Sequence, residues 1–348
     1  MEKTVNKKRL IYLDILNIIA ILCVIAMHCN GVVHSYSTQR WWRTSLIVEC
    51  VAYFAVPLFL MISGANLFAY RKKYDTKTFF KKRFCKVLIP FIFWAFVMFI
   101  WKNYIGEISL ANMNFLDLIS AFFQSKEEYT YYFLFLILGI YLTLPILSNL
   151  ADDKYRKSLW YAVAVYFLFN AILPNILGTV GVYYNTDLGI AITGYMMYVI
   201  LGYLLSTGEV DKKYRIIIYV SAIVAVLYRY FMTLIFSNQI GKIDNRTWGY
   251  TQFHVYILTS AIFLFVKNLR LDDKINSEKI KNIISKISSC SFGIYLIHLI
   301  VRFYICKVFN INILSWEWRA LGFILVYIVS LGIVYLLKKI PIVRKIVP

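Results

Sequence analysis

Four sets of residues in this chain have the types and spacing to do chemistry. The first lies in "LDILNIIAILCVIAMHCNG", residues 13–31, an apolar run that keeps a carboxylate, a carboxamide and an imidazole. At about 100° per residue, Asp14 falls within roughly 40° of His28 around a helix, and Asn17 within roughly 20°. The three polar groups therefore share one stripe. Ionisable groups at membrane depth are costly and face a bundle interior or a wet cavity, so such a stripe points to function by default. His28 has the chemistry of a general base, Asn17 that of an amide donor, and Asp14 sits at the entrance. The second set is "SFGIYLIHLIVRFY", where Tyr295, His298 and Arg302 follow at i, i+3 and i+7 and so share a face. The third is "YRKKYDTKTFFKKRFCKVLIP", eight Lys and Arg residues against Asp75. Spacing alone favours topogenic charge lying against anionic lipid. The sharper alternative is a phosphate-holding site, with Arg83 and Lys86, one turn apart, as its best donors. The fourth set is Glu49 and Arg229, both in outer halves of apolar runs, which can pair across a bundle for structure as readily as for catalysis. His34 and His254 fall at outer span edges, where an interfacial imidazole needs no special role. No histidine pair has metal-motif spacing, and no Gly-rich phosphate loop or nucleophile elbow occurs, which excludes metal and nucleotide-hydrolysis chemistries.

The elements that must position these residues are membrane helices. Of the 348 residues 60% are hydrophobic and only 16% are charged. A soluble domain of that make-up would be covered in apolar patches. A window of about 19 residues finds apolar stretches near 10–33, 44–69, 84–101, 130–150, 159–177, 187–206, 214–236, 252–268, 290–311 and 318–337, each long enough for one spanning helix. The net charge of +20 is not gathered into a polyanion-binding face. About 28 of the 38 Lys and Arg residues fall at the termini and in alternate loops, and about 8 in the others. That alternation predicts both termini in the cytoplasm and no nucleic-acid partner.

Lys7, Lys8 and Arg9 before an apolar core imitate a signal peptide, but no small-x-small cleavage site follows and Asp14 interrupts the run. The first span is therefore expected to stay. Cys23, Cys29, Cys50, Cys85, Cys290 and Cys306 show neither C-x-x-C nor metal-like spacing and serve as small hydrophobes. No loop is long enough for a soluble domain, so the expectation is one all-α polytopic domain over 1–348. The outer connection "EISLANMNFLDLISAFFQ" has helical apolar spacing, with Asp117 on another face, and suits a helix lying in the interface. The inner link "RLDDKINSEKIKNIISKISS" is also amphipathic.

"YLDILNIIAILCVIAMHCN", "VPLFLMISGANLF", "FFKKRFCKVLIPFIFW", "YFLFLILGIYLTLPIL", "YVILGYLLS" and "SFGIYLIHLIV", in this order over about residues 9–337, resemble the integral-membrane acyltransferase family 3. That family includes bacterial surface-polysaccharide and peptidoglycan O-acetyltransferases. The resemblance implies that His28 is the catalytic histidine of the first helix, that Asp14 is the aspartate opening it, and that Arg83 and Lys86 are the basic pair associated with an acyl-CoA donor. It matches the Ser-Gly of the second span to Ser63 and Gly64. Two positions depart from the pattern. Many members have an arginine where this chain has Asn17, and a common Trp-Phe-Leu is here Tyr132, Phe133 and Leu134. Either donor contacts are redistributed, with Tyr295, His298 and Arg302 as candidates and Arg229 as a further cation, or the substrate differs from that of the better-known members.

The resemblance thus implies a multi-pass enzyme of the bacterial cytoplasmic membrane. It would move an acyl group, expected to be acetyl, from acetyl-CoA to a hydroxyl of a surface glycan or other envelope acceptor, with His28 as base and no metal. The alternative of another class is a transporter or flippase of a glycan intermediate or small solute, with the polar stripe as a relay.

Overall fold

The computed structural model describes residues 10–126, 128–182 and 194–347. These form helices and turns, with no strand among them, so the expected all-α architecture is observed. In chain order, α1 (Ile11–Cys29), α2 (Arg40–Ala52) and α3 (Ala55–Leu67) precede α4 (Thr76–Arg83), α5 (Ile89–Tyr104), α6 (Phe115–Phe123) and α7 (Tyr132–Leu147). There follow α8 (Arg156–Tyr166), α9 (Leu173–Thr179), α10 (Gly194–Thr207), α11 (Lys212–Ile240) and α12 (Phe253–Asn268). The short α13 (Leu271–Lys274), α14 (Glu278–Ser289), α15 (Ser291–Val308) and α16 (Trp316–Leu337) end the series. Among the described residues, nine helical segments are long and apolar enough to cross a bilayer, some of them joining two of these helices. The stretch expected at 187–206 appears as the shorter apolar α10, and residues 187–193, like Lys7, Lys8 and Arg9, lie outside the described residues.

The described chain forms two compact units, one from Met1–Asn66 with Asp153–Leu331, the other from Leu67–Asp152 with Gly332–Pro348. In the first unit α1 packs against α2, α12, α14 and α15. Its apolar face, Leu16, Ala20, Ile21 and Ile25, is fully buried. Leu10 offers α1 no side-chain cap. The Asp272 carboxylate of α13 caps it instead, accepting from the amides of Ile11 at 2.6 Å and Tyr12 at 3.3 Å. A carboxylate there also complements the positive end of the helix dipole. Helices α3 and α10 approach backbone to backbone. A Cβ at Gly64 would run into the Val199 carbonyl, and one at Gly202 into the Met61 carbonyl. Small residues permit such close approach where bilayer helices gain packing rather than hydrophobic energy from association. Gly241, at φ 65°, closes α11 so that α12 returns alongside it. The face of α11 bearing Ile216, Val220, Ile223, Leu227 and Phe231 is exposed, as a lipid-facing stripe must be.

In the second unit Asp75 caps α4, accepting from the Thr78 amide at 3.1 Å. A π segment, Phe84–Leu88, joins α4 to α5. The rings of Phe91, Phe122 and Phe135 pack together, and the Trp94 indole donates to the Ile346 carbonyl at 2.9 Å. The expected interfacial helix is α6, opened by a capping box between Asn114 and Asp117. Phe115, Leu116 and Phe123 stand exposed on it.

Candidate active site

The last turn of α1 and the middle of α15 bring two imidazoles and a guanidinium together in the first unit. His28, half-buried, lies with its ring centroid 5.1 Å from that of His298. His298 is buried, and its Nδ1 meets the Tyr295 carbonyl at 2.7 Å. A ring that donates from Nδ1 carries its lone pair on Nε2. That Nε2 has no hydrogen-bond partner among the described residues. Arg302 donates from Nη1 to the His28 carbonyl at 3.1 Å, and its buried Nε has no partner among the described residues. The face that groups Tyr295, His298 and Arg302 by spacing thus meets His28 in space. Two imidazoles and a guanidinium can accept a proton, hold a hydroxyl and stabilise a developing negative charge.

The other two residues of the α1 stripe lie elsewhere. Ser285 donates to the Asp14 carboxylate at 2.9 Å. The Asn17 carboxamide donates to the carbonyl and hydroxyl of Ser288 at 3.0 and 3.1 Å. Eleven residues separate Asn17 from His28, or roughly 16 Å along the axis. One polar face therefore serves two places, α14 near its start and α15 near its end. Ser63, half-buried, precedes Gly64 at the α3–α10 crossing.

Arg83 and Lys86 belong to the second unit. The Arg83 guanidinium lies 5.6 Å from the Tyr141 ring centroid and 6.0 Å from that of Phe79, and its buried Nε has no hydrogen-bond partner among the described residues. Lys86 is exposed within the π segment. π turns recur at functional sites because they break the helical register. A planar donor half-sheltered by aromatic rings and an exposed ammonium three residues on are groups of the kind that hold a phosphate.

Glu49 and Arg229 do pair, with Nη2 3.9 Å from Oε1 and the residues 3% and 1% exposed. Arg229 also donates to the Thr247 carbonyl at 3.1 Å and the Glu49 carbonyl at 3.2 Å, and lies 3.3 Å over the Tyr53 ring. His254, in the first turn of α12 as its place at a span edge implies, is 3% exposed, its Nε2 3.2 Å from the Thr247 carbonyl. His34 stands with its ring 5.2 Å from Trp248. Position along a span gives His254 its edge but not its burial, to which the Thr247 carbonyl contributes. Arg319, which sequence reasoning also missed, is buried and donates to Trp41, Thr44 and Ser45, tying α16 to α2.

None of the six cysteines forms a disulfide among the described residues. No cluster of metal-ligating side chains occurs among the described residues. A family model described as an acyltransferase domain matches residues 10–338. Neither the curated proteins nor the solved structures include a match to this chain.

Proposed function

Because the chain belongs to the integral-membrane acyltransferase family 3, we propose that it transfers an acetyl group from acetyl-CoA to a hydroxyl of a bacterial surface glycan or other envelope acceptor. Family membership favours this chemistry over the carrier reading. The observation that carries the proposal is the meeting of His28 with His298 and Arg302 on a polar wall of a multi-pass bundle.

His28 takes the proton of the acceptor hydroxyl as that oxygen attacks the thioester carbonyl. The carbonyl electrons move to oxygen, and Arg302 supplies positive charge to the oxyanion. When the carbon–oxygen double bond re-forms, the carbon–sulfur bond breaks and the departing thiolate recovers the proton from the His28 imidazolium. His298, fixed by the Tyr295 carbonyl, offers Nε2 as an acceptor for a neighbouring hydroxyl of the same acceptor, which leaves the reacting O–H to His28. Asp14 and Asn17 hold α1 on α14 and so set the height of His28. Ser63 lies beside the crossing that holds α3. Arg83 and Lys86 bind the phosphates of the donor. The enzyme sits in the cytoplasmic membrane with both termini inside, where the donor is made.

The test is turnover of purified protein with labelled acetyl-CoA and envelope glycan. His28→Gln should lower it by about 10²- to 10⁴-fold, the usual range for loss of a general base. Retention of more than a tenth of wild-type turnover refutes the role. Neutralising Arg83 and Lys86 together should raise the apparent KM for acetyl-CoA more than that for the acceptor.

A further inference from the structure

A second polar concavity lies in the first unit, away from the His28 ring. It encloses about 270 Å³ and is lined by Asn170, Asn175, Gly178, Arg246, Thr251 and Gln252. Its wall includes a π segment, Phe167–Ile172, continuous with α9. The side chains are held before any ligand arrives. Asn175 accepts from the Tyr228 hydroxyl at 2.8 Å, and the Gln252 carboxamide donates to the Arg246 carbonyl at 2.6 Å. Preorganised polar walls reduce the ordering cost of binding.

We propose that this cavity binds a neutral, hydroxyl-rich ring of the acceptor, one sugar unit in size, an inference that rests on the acyl-transfer reading above. Three observations select that class. Arg246, the one cation among the described lining residues, pairs with the Asp244 carboxylate through its Nε at 2.9 Å, so the site offers an anion no net positive charge. Besides Arg246, the polar side chains of the lining, Asn170, Asn175, Thr251 and Gln252, are uncharged amides and a hydroxyl, the groups that exchange hydrogen bonds with hydroxyls. The volume falls just below the ~300–1,000 Å³ of sites that enclose drug-sized ligands, which leaves room for one ring.

Arg246, Thr251 and Gln252 belong to the segment whose Thr247 carbonyl receives Arg229 and meets His254. Trp248 of the same segment stands near His34.

The experiment uses the full chain in detergent, without acyl donor, and reads tryptophan fluorescence during titration with methyl glucoside, N-acetylglucosamine, rhamnose and glucose 1-phosphate. At least one neutral sugar should saturate, and more tightly than the phosphorylated one. Gly178→Phe should weaken that binding about tenfold or more, because a Cβ at Gly178 meets nothing within 4 Å and the added ring occupies the cavity without displacing backbone. Thr251→Val, nearly isosteric, should weaken it less, by one hydrogen bond. The proposal is overturned if no neutral sugar saturates, if both variants bind as wild type does, or if glucose 1-phosphate binds best. The reaction is judged separately: release of CoA from acetyl-CoA that is indifferent to His28→Gln overturns the acyl-transfer reading, whatever the sugars do.

Discussion

Arg229 and Glu49 are not equal partners, and their substitution should show it. The guanidinium has anchors besides the carboxylate: two backbone carbonyls, at 3.1 and 3.2 Å, and the face of Tyr53. The carboxylate has one Oε1 contact at 3.9 Å, and its buried Oε2 has no hydrogen-bond partner among the described residues. Arg229→Met removes all of those anchors and strands a buried carboxylate, which costs about 3–5 kcal/mol when a buried pair loses one member. Glu49→Gln leaves the guanidinium its carbonyls and its ring, so the cost should be only ~1–2 kcal/mol, that of one contact to a charged group. Adding Glu49→Gln to Arg229→Met removes the stranded charge and should recover ~1–2 kcal/mol relative to Arg229→Met alone. Unfolding by SDS titration in dodecyl maltoside micelles, followed by tryptophan fluorescence, measures all three. Equal losses for the two single variants, or a double variant no more stable than Arg229→Met, would refute the asymmetry.

Other features are as open to measurement. Gly64→Val should force α3 from α10 through a clash with the Val199 carbonyl, lowering the yield of monodisperse protein far more than Gly139→Val, whose Cβ meets nothing within 4 Å. Hydrogen bonds from the Thr78 hydroxyl and amide hold the exposed Asp75 carboxyl below the usual range. Its capping of α4 is therefore complete at neutral pH and is lost as pH falls through the lowered value. The protection factor of the Thr78 amide, taken relative to its intrinsic exchange rate at each pH, should fall on acidification, and Asp75→Ala should abolish that change in protection. Cysteine introduced at Gln124 should react with an impermeant maleimide on intact cells, and at Asn276 only after permeabilisation; the reverse pattern would invert the proposed topology.

The helices were legible because apolar run length depends on bilayer thickness, whatever the partner. The meeting of His28 with Tyr295, His298 and Arg302 was half legible. Spacing gathers each set on its own helix face, but only packing shows that α1 and α15 turn those faces toward each other. Asn17 shows the limit of the method, since its angle around α1 matches that of His28 while its partner, Ser288, lies on another helix. The burial of His254 and Arg319 depends on segments distant in sequence or on backbone carbonyls, which carry no residue signature. The π segments were invisible for a related reason, because an extra residue within a helical turn leaves the apolar pattern almost unchanged.

The bonds that complete α1 also set a schedule for biosynthesis. Asp272 lies 261 residues after Ile11, Ser285 and Ser288 lie 271 after Asp14 and Asn17, and Arg302 lies 274 after His28. At ~5–20 residues per second of translation, α1 spends about ten seconds to a minute without the partners of its polar stripe. During that interval an aspartate and an asparagine have only lipid headgroups, water or the insertion machinery to satisfy them. Helix α1 is made before these partners and is completed only after them. A nascent chain truncated before α13 leaves that stripe without any of these partners, and so presents cellular quality control with a signal that synthesis was incomplete.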